Sequence, residues 1–211
     1  MVSTDDLTAR AKIRDCALAL FGERGPDSVT VRDIAACAGV SPALVLHHYG
    51  SKDGLREAVD AHVAGIFDGL FDQSAENLDA IASGGERAAA SFAEVLLGGL
   101  PAGSAIPAYL RRLLLTGDPV GQRLFREWFE MTRETMRALE SAGGVRPTAD
   151  PDARAAFLLV NDLAMVLLRD HLADVLGVDP LAPDGLARWA AGTIDAYSTG
   201  VLTPASQEEP S

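Results

Sequence analysis

Basic side chains are in short supply. Lysine and arginine number 18 against 30 aspartates and glutamates, a net charge of −12. A chain that coats nucleic acid or an anionic membrane with its whole surface needs the opposite balance. Cysteine is scarcer still. Cys16 and Cys37 are the only two, too few for the disulfide framework of a small secreted domain. Both are expected to be small buried apolar groups. Long apolar runs are missing as well. The longest, Ala155 to Leu168, is interrupted by Asn161 and Asp162, and that length suits a buried helix rather than a membrane span. The polar start MVSTDDLTAR lacks the pattern of a signal peptide. The expectation is a soluble cytoplasmic protein with no membrane partner. Four histidines, His47, His48, His62 and His171, form no metal-binding pair at helical spacing. No P-loop, dinucleotide fingerprint or Gly-x-Ser-x-Gly occurs. No metal, cofactor or catalytic residue is expected.

What remains is globular: 48% hydrophobic and 23% charged residues over 211 positions. The acid excess is uneven. Residues 1–65 carry seven basic and nine acidic side chains, and residues 66–211 carry eleven and twenty-one. The first part therefore has room for a local basic face. Strand-like alternation is absent, while alanine, leucine, arginine and glutamate are abundant, which favours an all-α fold.

Helix punctuation is clearest near the start. Ile13, Ala17, Leu20 and Phe21 form one stripe of a helix over about Asp5 to Arg24, ended by Gly25-Pro26. Thr30 is placed to cap a short helix carrying Val31, Ile34, Ala35 and Ala38, and Gly39 suits a position of positive φ. Ser41-Pro42 starts another helix, with Val45, His48 and Tyr49 inward. Ser51 caps a fourth, whose apolar positions run from Leu55 to Phe71. Further helices are expected near 85–100, 106–116, 119–141, 152–176 and 184–202.

Thr30 to Leu55 thus reads as helix, glycine turn, helix: a helix-turn-helix, whose second helix lies in the DNA major groove. Residues 7–63 resemble the DNA-binding domain of TetR-family transcriptional regulators. The resemblance is carried by Ala17-Leu18-Ala19-Leu20-Phe21 before Gly25, by Thr30-Val31-Arg32-Asp33-Ile34-Ala35, by Ala38-Gly39-Val40-Ser41, and by His48-Tyr49-Gly50-Ser51-Lys52 with Leu55. It implies an N-terminal three-helix DNA-binding domain over 1–50 and a helical ligand-binding and dimerisation domain over 51–202. A helix from 51 to about 72 bridges them, and 203–211 form a disordered tail. Leu46 stands where the family often has an aromatic residue.

The residue types supply the chemistry. Thr30 and Ser41 sit at helix starts, where hydroxyls and free N–H groups hold phosphate. Lys52 puts a cation at the next helix start, and Arg10, Lys12 and Arg14 offer more on the first helix. Ala43 and Leu44 suit thymine methyl groups, and His47 suits a base edge or a phosphate. Arg32 reaches the backbone or a neighbouring base, or pairs with an acid. His48 and Tyr49 fit either packing or a phosphate contact.

The second part is rich in aromatics, which fit either a core or a cavity for a small, mainly apolar molecule. The candidate cavity residues are Phe67, Phe71, Tyr109, Phe125, Trp128, Phe129 and Asn161. Aromatics in acidic surroundings would also suit a cationic hydrophobic ligand. The last two helices are apolar beyond one face, and Leu163, Leu167, Leu186, Ala190, Ile194 and Tyr197 are expected in a twofold four-helix interface. The expected function is a ligand-responsive regulator, a homodimeric repressor on a palindromic double-stranded DNA operator, released by a small-molecule effector. The alternatives are a helical protein-interaction adaptor or an enzyme without a recognisable motif.

Overall fold

Every described element of the chain is a helix. The computed structural model describes the backbone of residues 4–82, 100 and 103–199, and the side chains of residues 7–69, 100 and 103–198. The order is α1 (Thr4–Arg24), a 3-10 turn (Pro26–Ser28), α2 (Val31–Ala38), α3 (Pro42–Tyr49), α4 (Lys52–Ala82), α5 (Ile106–Leu115), α6 (Pro119–Ser141), α7 (Pro151–Leu167), α8 (Arg169–Leu176) and α9 (Pro183–Thr199). The helix expected near 85–100 and the tail from 203 lie outside the described residues. Among the described residues, no helix is long and apolar enough to cross a membrane.

Most boundaries follow local chemistry. Asp118 and Asp150 accept hydrogen bonds from the first-turn N–H groups of Val120 and Ala153, each just before or within a proline-led helix start. Gly39 ends α2 in the left-handed region at φ 69°, a conformation that side chains with a Cβ resist. Two boundaries depart from expectation. Helix α4 runs to Ala82, well past Phe71, where its apolar stripe ends. Nothing between Asp72 and Ala82 breaks a helix, so propensity carries it on where periodicity has stopped. The helix expected over 152–176 is two helices, parted at Leu168 with φ −113° and ψ 22°. No glycine or proline marks that break. The Arg169 guanidinium is instead tied to Asp179 beyond α8, with Nε 2.9 Å from Oδ1.

One connected core runs through both parts. Ile13, Ala17 and Phe21 of α1, Ile34 of α2, Val45 of α3 and Leu55, Val59, Val63 and Phe67 of α4 are fully buried. The same cluster continues through Tyr109 and Leu110 of α5, Leu124 and Trp128 of α6, and Leu159 and Val166 of α7. Helix α1 lies close on α5: a Cβ at Gly22 would stand 3.0 Å from the Tyr109 nitrogen. Trp128 meets Phe67 edge to face, with ring centroids 5.1 Å apart.

Three expectations are corrected by this packing. Phe67, Tyr109 and Trp128, expected along a cavity, are fully buried members of the core cluster, with Phe67 and Trp128 in ring contact. Cys16 and Cys37 are not separate apolar groups but a disulfide, with Cα atoms 5.9 Å apart where α1 crosses α2. Leu163 and Ala190 are buried in the subunit's own fold rather than on a free face.

A polar cluster joins the helices across this core. The Tyr109 hydroxyl donates to Asp60 Oδ1 at 2.6 Å. Arg56 donates to Asp118, the N-cap of α6, and its Nε lies 4.0 Å from Asp60. Burial, reinforced by the bond to Asp60, pushes the Tyr109 hydroxyl far above its usual range. Burial also pushes Asp60 up, against the opposing effects of Tyr109 and Arg56. Tyr109→Phe removes the hydroxyl and leaves a half-buried carboxylate short of a donor. The expected cost is about 1–3 kcal/mol, read as a lower denaturant midpoint with an unchanged slope.

Candidate nucleic-acid interface

Two capped helix starts lie in the N-terminal elements, at Thr30 and Ser41. Thr30 caps α2 in extended backbone geometry, and the Asp33 N–H donates to its Oγ1 at 3.2 Å. The Thr30 N–H and hydroxyl both donate to Asp33 Oδ2, at 2.8 and 2.6 Å. These bonds hold the exposed Asp33 carboxyl below its usual range, the Thr30 hydroxyl contributing most. Ser41 caps α3 by accepting from the Leu44 N–H at 3.2 Å. Pro42 has no N–H and the Asp33 and Leu44 N–H groups are on the caps, so the uncapped first-turn N–H groups are those of Val31 and Arg32 on α2 and Ala43 on α3.

The capping hydroxyls differ in what they have left to give. The Thr30 proton is already on Asp33, so Thr30 offers phosphate a positioned helix start rather than its own hydroxyl. The Ser41 proton finds no acceptor among the described residues, which leaves it for a phosphate. On α3, Val45 is fully buried, Leu44, His48 and Tyr49 are half-buried, and Ala43, Leu46 and His47 are exposed. The outward face of the helix is therefore Ala43, Leu46 and His47. Leu46 belongs to the candidate site although its residue type drew attention elsewhere. Its spacing was the available signal: it falls three residues after Ala43, next to the buried Val45, and beside His47.

Two expected contacts are engaged inside the protein. Lys52 Nζ donates to the carbonyls of Pro26 and Val29 at 3.0 and 3.2 Å. The lysine thereby pins the start of α4 to the turn before α2, with one ammonium proton left over. The Tyr49 hydroxyl donates to the Arg10 carbonyl at 2.7 Å, and burial raises its pKa. Tyr49 is thus a brace between α3 and α1. The Arg10 guanidinium lies over its ring at 5.5 Å. Arg14 is bonded to Asp15 at 2.7 Å. Arg32 is exposed and makes no ion pair among the described residues, so its charge is free for DNA.

In the second part, a groove of about 570 Å³ lies between α5, α6 and α7. Leu115, Phe125, Phe129, Val160 and Leu167 give it apolar walls, and Arg126 and Gln122 are its polar members. Phe125 and Phe129, two of the expected cavity residues, line this groove. Leu163 also lines this groove. Asn161 is half-buried and is not part of the wall, and the side chain of Phe71 lies outside the described residues. Among the described residues the groove's only charge is Arg126, so the cationic ligand suggested by the acidic composition is not favoured. Among the described residues no three His, Cys, Asp or Glu side chains converge on a position for a metal ion.

A second surface is apolar and exposed. Phe157 is 63% exposed and Val160, three residues on along α7, about half, as is Leu168 at the helix's C-terminal cap. Ile194 and Tyr197 of α9 continue it, with the Tyr197 ring 6.4 Å from that of Phe157. Leu167 and Leu186 are half-buried against the subunit's own core. The helical period explains the difference. Leu163 lies six residues from Phe157, about 120° around the helix, toward Leu159 and Val166.

Comparison with known proteins follows this division. Residues 13–59 match the family model described as bacterial regulatory proteins, tetR family, and residues 104–203 match that of the tetracyclin repressor-like C-terminal domain. The chain is 36% identical over 155 residues to the HTH-type transcriptional regulatory protein RaaS of Mycobacterium tuberculosis, covering 74% of this chain and 68% of that protein. It is 33% identical over 180 residues to the HTH-type transcriptional repressor Rv3405c of the same organism, covering 83% and 81%. The fold is similar to that of SmeT, the repressor of the Stenotrophomonas maltophilia multidrug efflux pump SmeDEF. The TM-score is 0.60 at 24% identity, over 96% of each chain.

The interface geometry separates two cations that look alike in sequence. Arg32→Ala should weaken DNA binding and flatten its log–log salt dependence by about one unit while leaving stability unchanged. Lys52→Ala should instead lower stability by about 2 kcal/mol, because two carbonyls lose a charged donor. Salt titrations of DNA affinity alongside urea melts check both.

Proposed function

The chain belongs to the TetR family of bacterial regulatory proteins, transcriptional regulators that bind DNA through a helix-turn-helix, and we propose that it is a repressor released from a palindromic operator by a small, mainly apolar molecule. The observation that carries this reading is the pairing of a helix whose exposed face is Ala43, Leu46 and His47 with the capped starts of α2 and α3 and with an exposed Arg32 that makes no ion pair among the described residues. The side chains read base edges while the N–H groups and Arg32 hold the backbone. The relatives' names as HTH regulators and repressors support the same reading. It makes the chain a regulator rather than an enzyme, and it places the protein where the chromosome is.

Control follows from how the helices are joined. The groove's wall is built partly on α5 and α6, and these are tied to α4 through Tyr109, Asp60, Arg56 and Asp118. An effector that spreads the groove shifts α5 and α6, and α4 with them. Helix α4 begins at Lys52, against the turn that precedes α2. In a homodimer joined through Phe157, Val160, Ile194 and Tyr197, that shift alters the separation of the two α3 helices, and one half-site loses contact. A coupling of about 1–3 kcal/mol changes operator affinity by roughly 5–150-fold. Arg126 at the groove makes a neutral or anionic apolar molecule a better occupant than a cation.

Selection of bound sequences from a random DNA pool tests the function. The expected product is an inverted repeat with half-sites about one helical turn apart or somewhat more, and a pool with no enriched repeat refutes it. Phe157→Glu should give a folded monomer in sedimentation, with specific DNA affinity falling as the linkage between half-sites is lost. Phe125→Ala should keep operator binding and remove the response to any compound that stabilises the wild type in a thermal-shift screen.

A further inference from the structure

We propose that Cys16 and Cys37 are a thiol–disulfide modification site that adjusts how firmly the DNA-reading helices are held to the rest of the chain. The proposal rests on the DNA-binding reading above and adds to it an input separate from the groove.

The placement of the bond is the basis. It joins α1 to α2 with Cα atoms 5.9 Å apart and closes a ring of the chain between positions 16 and 37. That ring holds the N-terminal ends of the contacts reaching α4 and α5. Lys52 of α4 binds the Pro26 and Val29 carbonyls. Arg112 of α5 donates to the Glu23 carbonyl at 3.3 Å, and Gly22 lies against Tyr109. The ring also includes Thr30 and Asp33, whose reciprocal bonds start α2. Cys37 itself is the seventh of the eight residues of α2, two positions before the Gly39 turn that leads to α3. With the bond closed, α2 cannot slide on α1 without carrying all these contacts. With it open, α2 keeps the packing of Val31, Ile34, Ala35 and Ala38 and its chain connection to α1, and loses the covalent tie at Cys37.

The two sulfurs differ in access. Cys37 is exposed, while Cys16 is half-buried against the core. A small thiol therefore reaches Cys37 first. Its thiolate attacks the Cys37 sulfur, the Cys16–Cys37 bond breaks, and Cys16 leaves as a thiolate that takes a proton from water. Lys12, one turn earlier on the same side of α1, favours that leaving thiolate, whereas Asp33 lies one turn before Cys37. A second small thiol then attacks the mixed disulfide, releases the Cys37 thiol and departs as the oxidised small-molecule disulfide. Two electrons pass from two small thiols to the protein disulfide, and the reverse exchange restores it. An exposed disulfide in a compartment rich in small thiols opens and closes with the thiol pool, unlike a structural one.

The closed form has the HTH in its binding arrangement before DNA arrives, so less order remains to be imposed on binding. Opening the bond should weaken operator affinity by about fivefold or more, the lower end of typical coupling between sites. The experiment uses the full chain and a DNA duplex from the random-pool selection, in buffers of oxidised or reduced glutathione. DNA affinity is read by fluorescence anisotropy, and the thiols by alkylation and intact mass. The expected result is no label and tight binding when oxidised, two labels and weaker binding when reduced. A Cys16→Ser, Cys37→Ser variant should bind like the reduced protein in both buffers. The reduced wild type provides the same comparison if that variant does not fold. Two labels after oxidised glutathione overturn the bond. An intact bond with equal affinity in both buffers overturns the switch and leaves the DNA-binding reading standing. An intact bond with no specific DNA binding in either buffer overturns both.

Discussion

The hydrogen bond from Tyr109 to Asp60 stands where three helices meet, and the rest of the molecule is arranged around it. Tyr109 belongs to α5, its backbone lies against Gly22 of α1, and its hydroxyl ends on α4. Arg56, one turn before Asp60, extends the link to the cap of α6. Because the residues are largely buried, neither helix can move away without leaving a polar group unpaired in an apolar setting, which costs more than the bond itself contributes. Rearrangement is therefore cheaper as a joint movement of α4, α5 and α6 than as the displacement of any one of them. This makes a groove walled by α5 and α6 mechanically relevant to a helix-turn-helix that it does not touch.

An acidic chain that binds an acidic polymer needs an economical interface. This one relies on geometry more than on charge. The helix starts at Thr30 and Ser41 carry uncapped N–H groups and the positive ends of two helix dipoles. The apolar residues Ala43 and Leu46 suit methyl groups rather than phosphates. Most of the acid excess lies in the second part, which leaves the reading face room for its own local field.

The disulfide and the groove bear on connected helices. The groove bears on α5 and α6, and the bond closes the stretch against which α4 and α5 rest. Lys52 is central to both. Its ammonium ends on the two carbonyls of the turn rather than on solvent, so the first residue of α4 and the start of α2 move together.

Much of the helical plan was legible in the sequence, and the reason is local. Caps such as Thr30 with Asp33 and Ser41 with Leu44 act over three residues, and the Gly39 stop and the core stripe of α4 through Phe67 follow from one turn of helix. Those interactions form between neighbours in the chain, whatever the distant parts do. The course of α4 beyond Phe71 and the break at Leu168 were not legible, because no apolar stripe or breaker marks them. Partnerships between distant residues were decided only by the tertiary structure. Whether Lys52 faced DNA or the Val29 carbonyl depended on where a turn 23 residues away came to rest. Whether Tyr109 and Trp128 lined a cavity or filled a core depended on how closely α4, α5 and α6 approach. Two cysteines 21 residues apart become a bond only because α1 and α2 cross at that point. Helical periodicity limits which residues share a side, but only the neighbours that arrive from elsewhere in the chain determine whether that side meets solvent, a ligand or another helix.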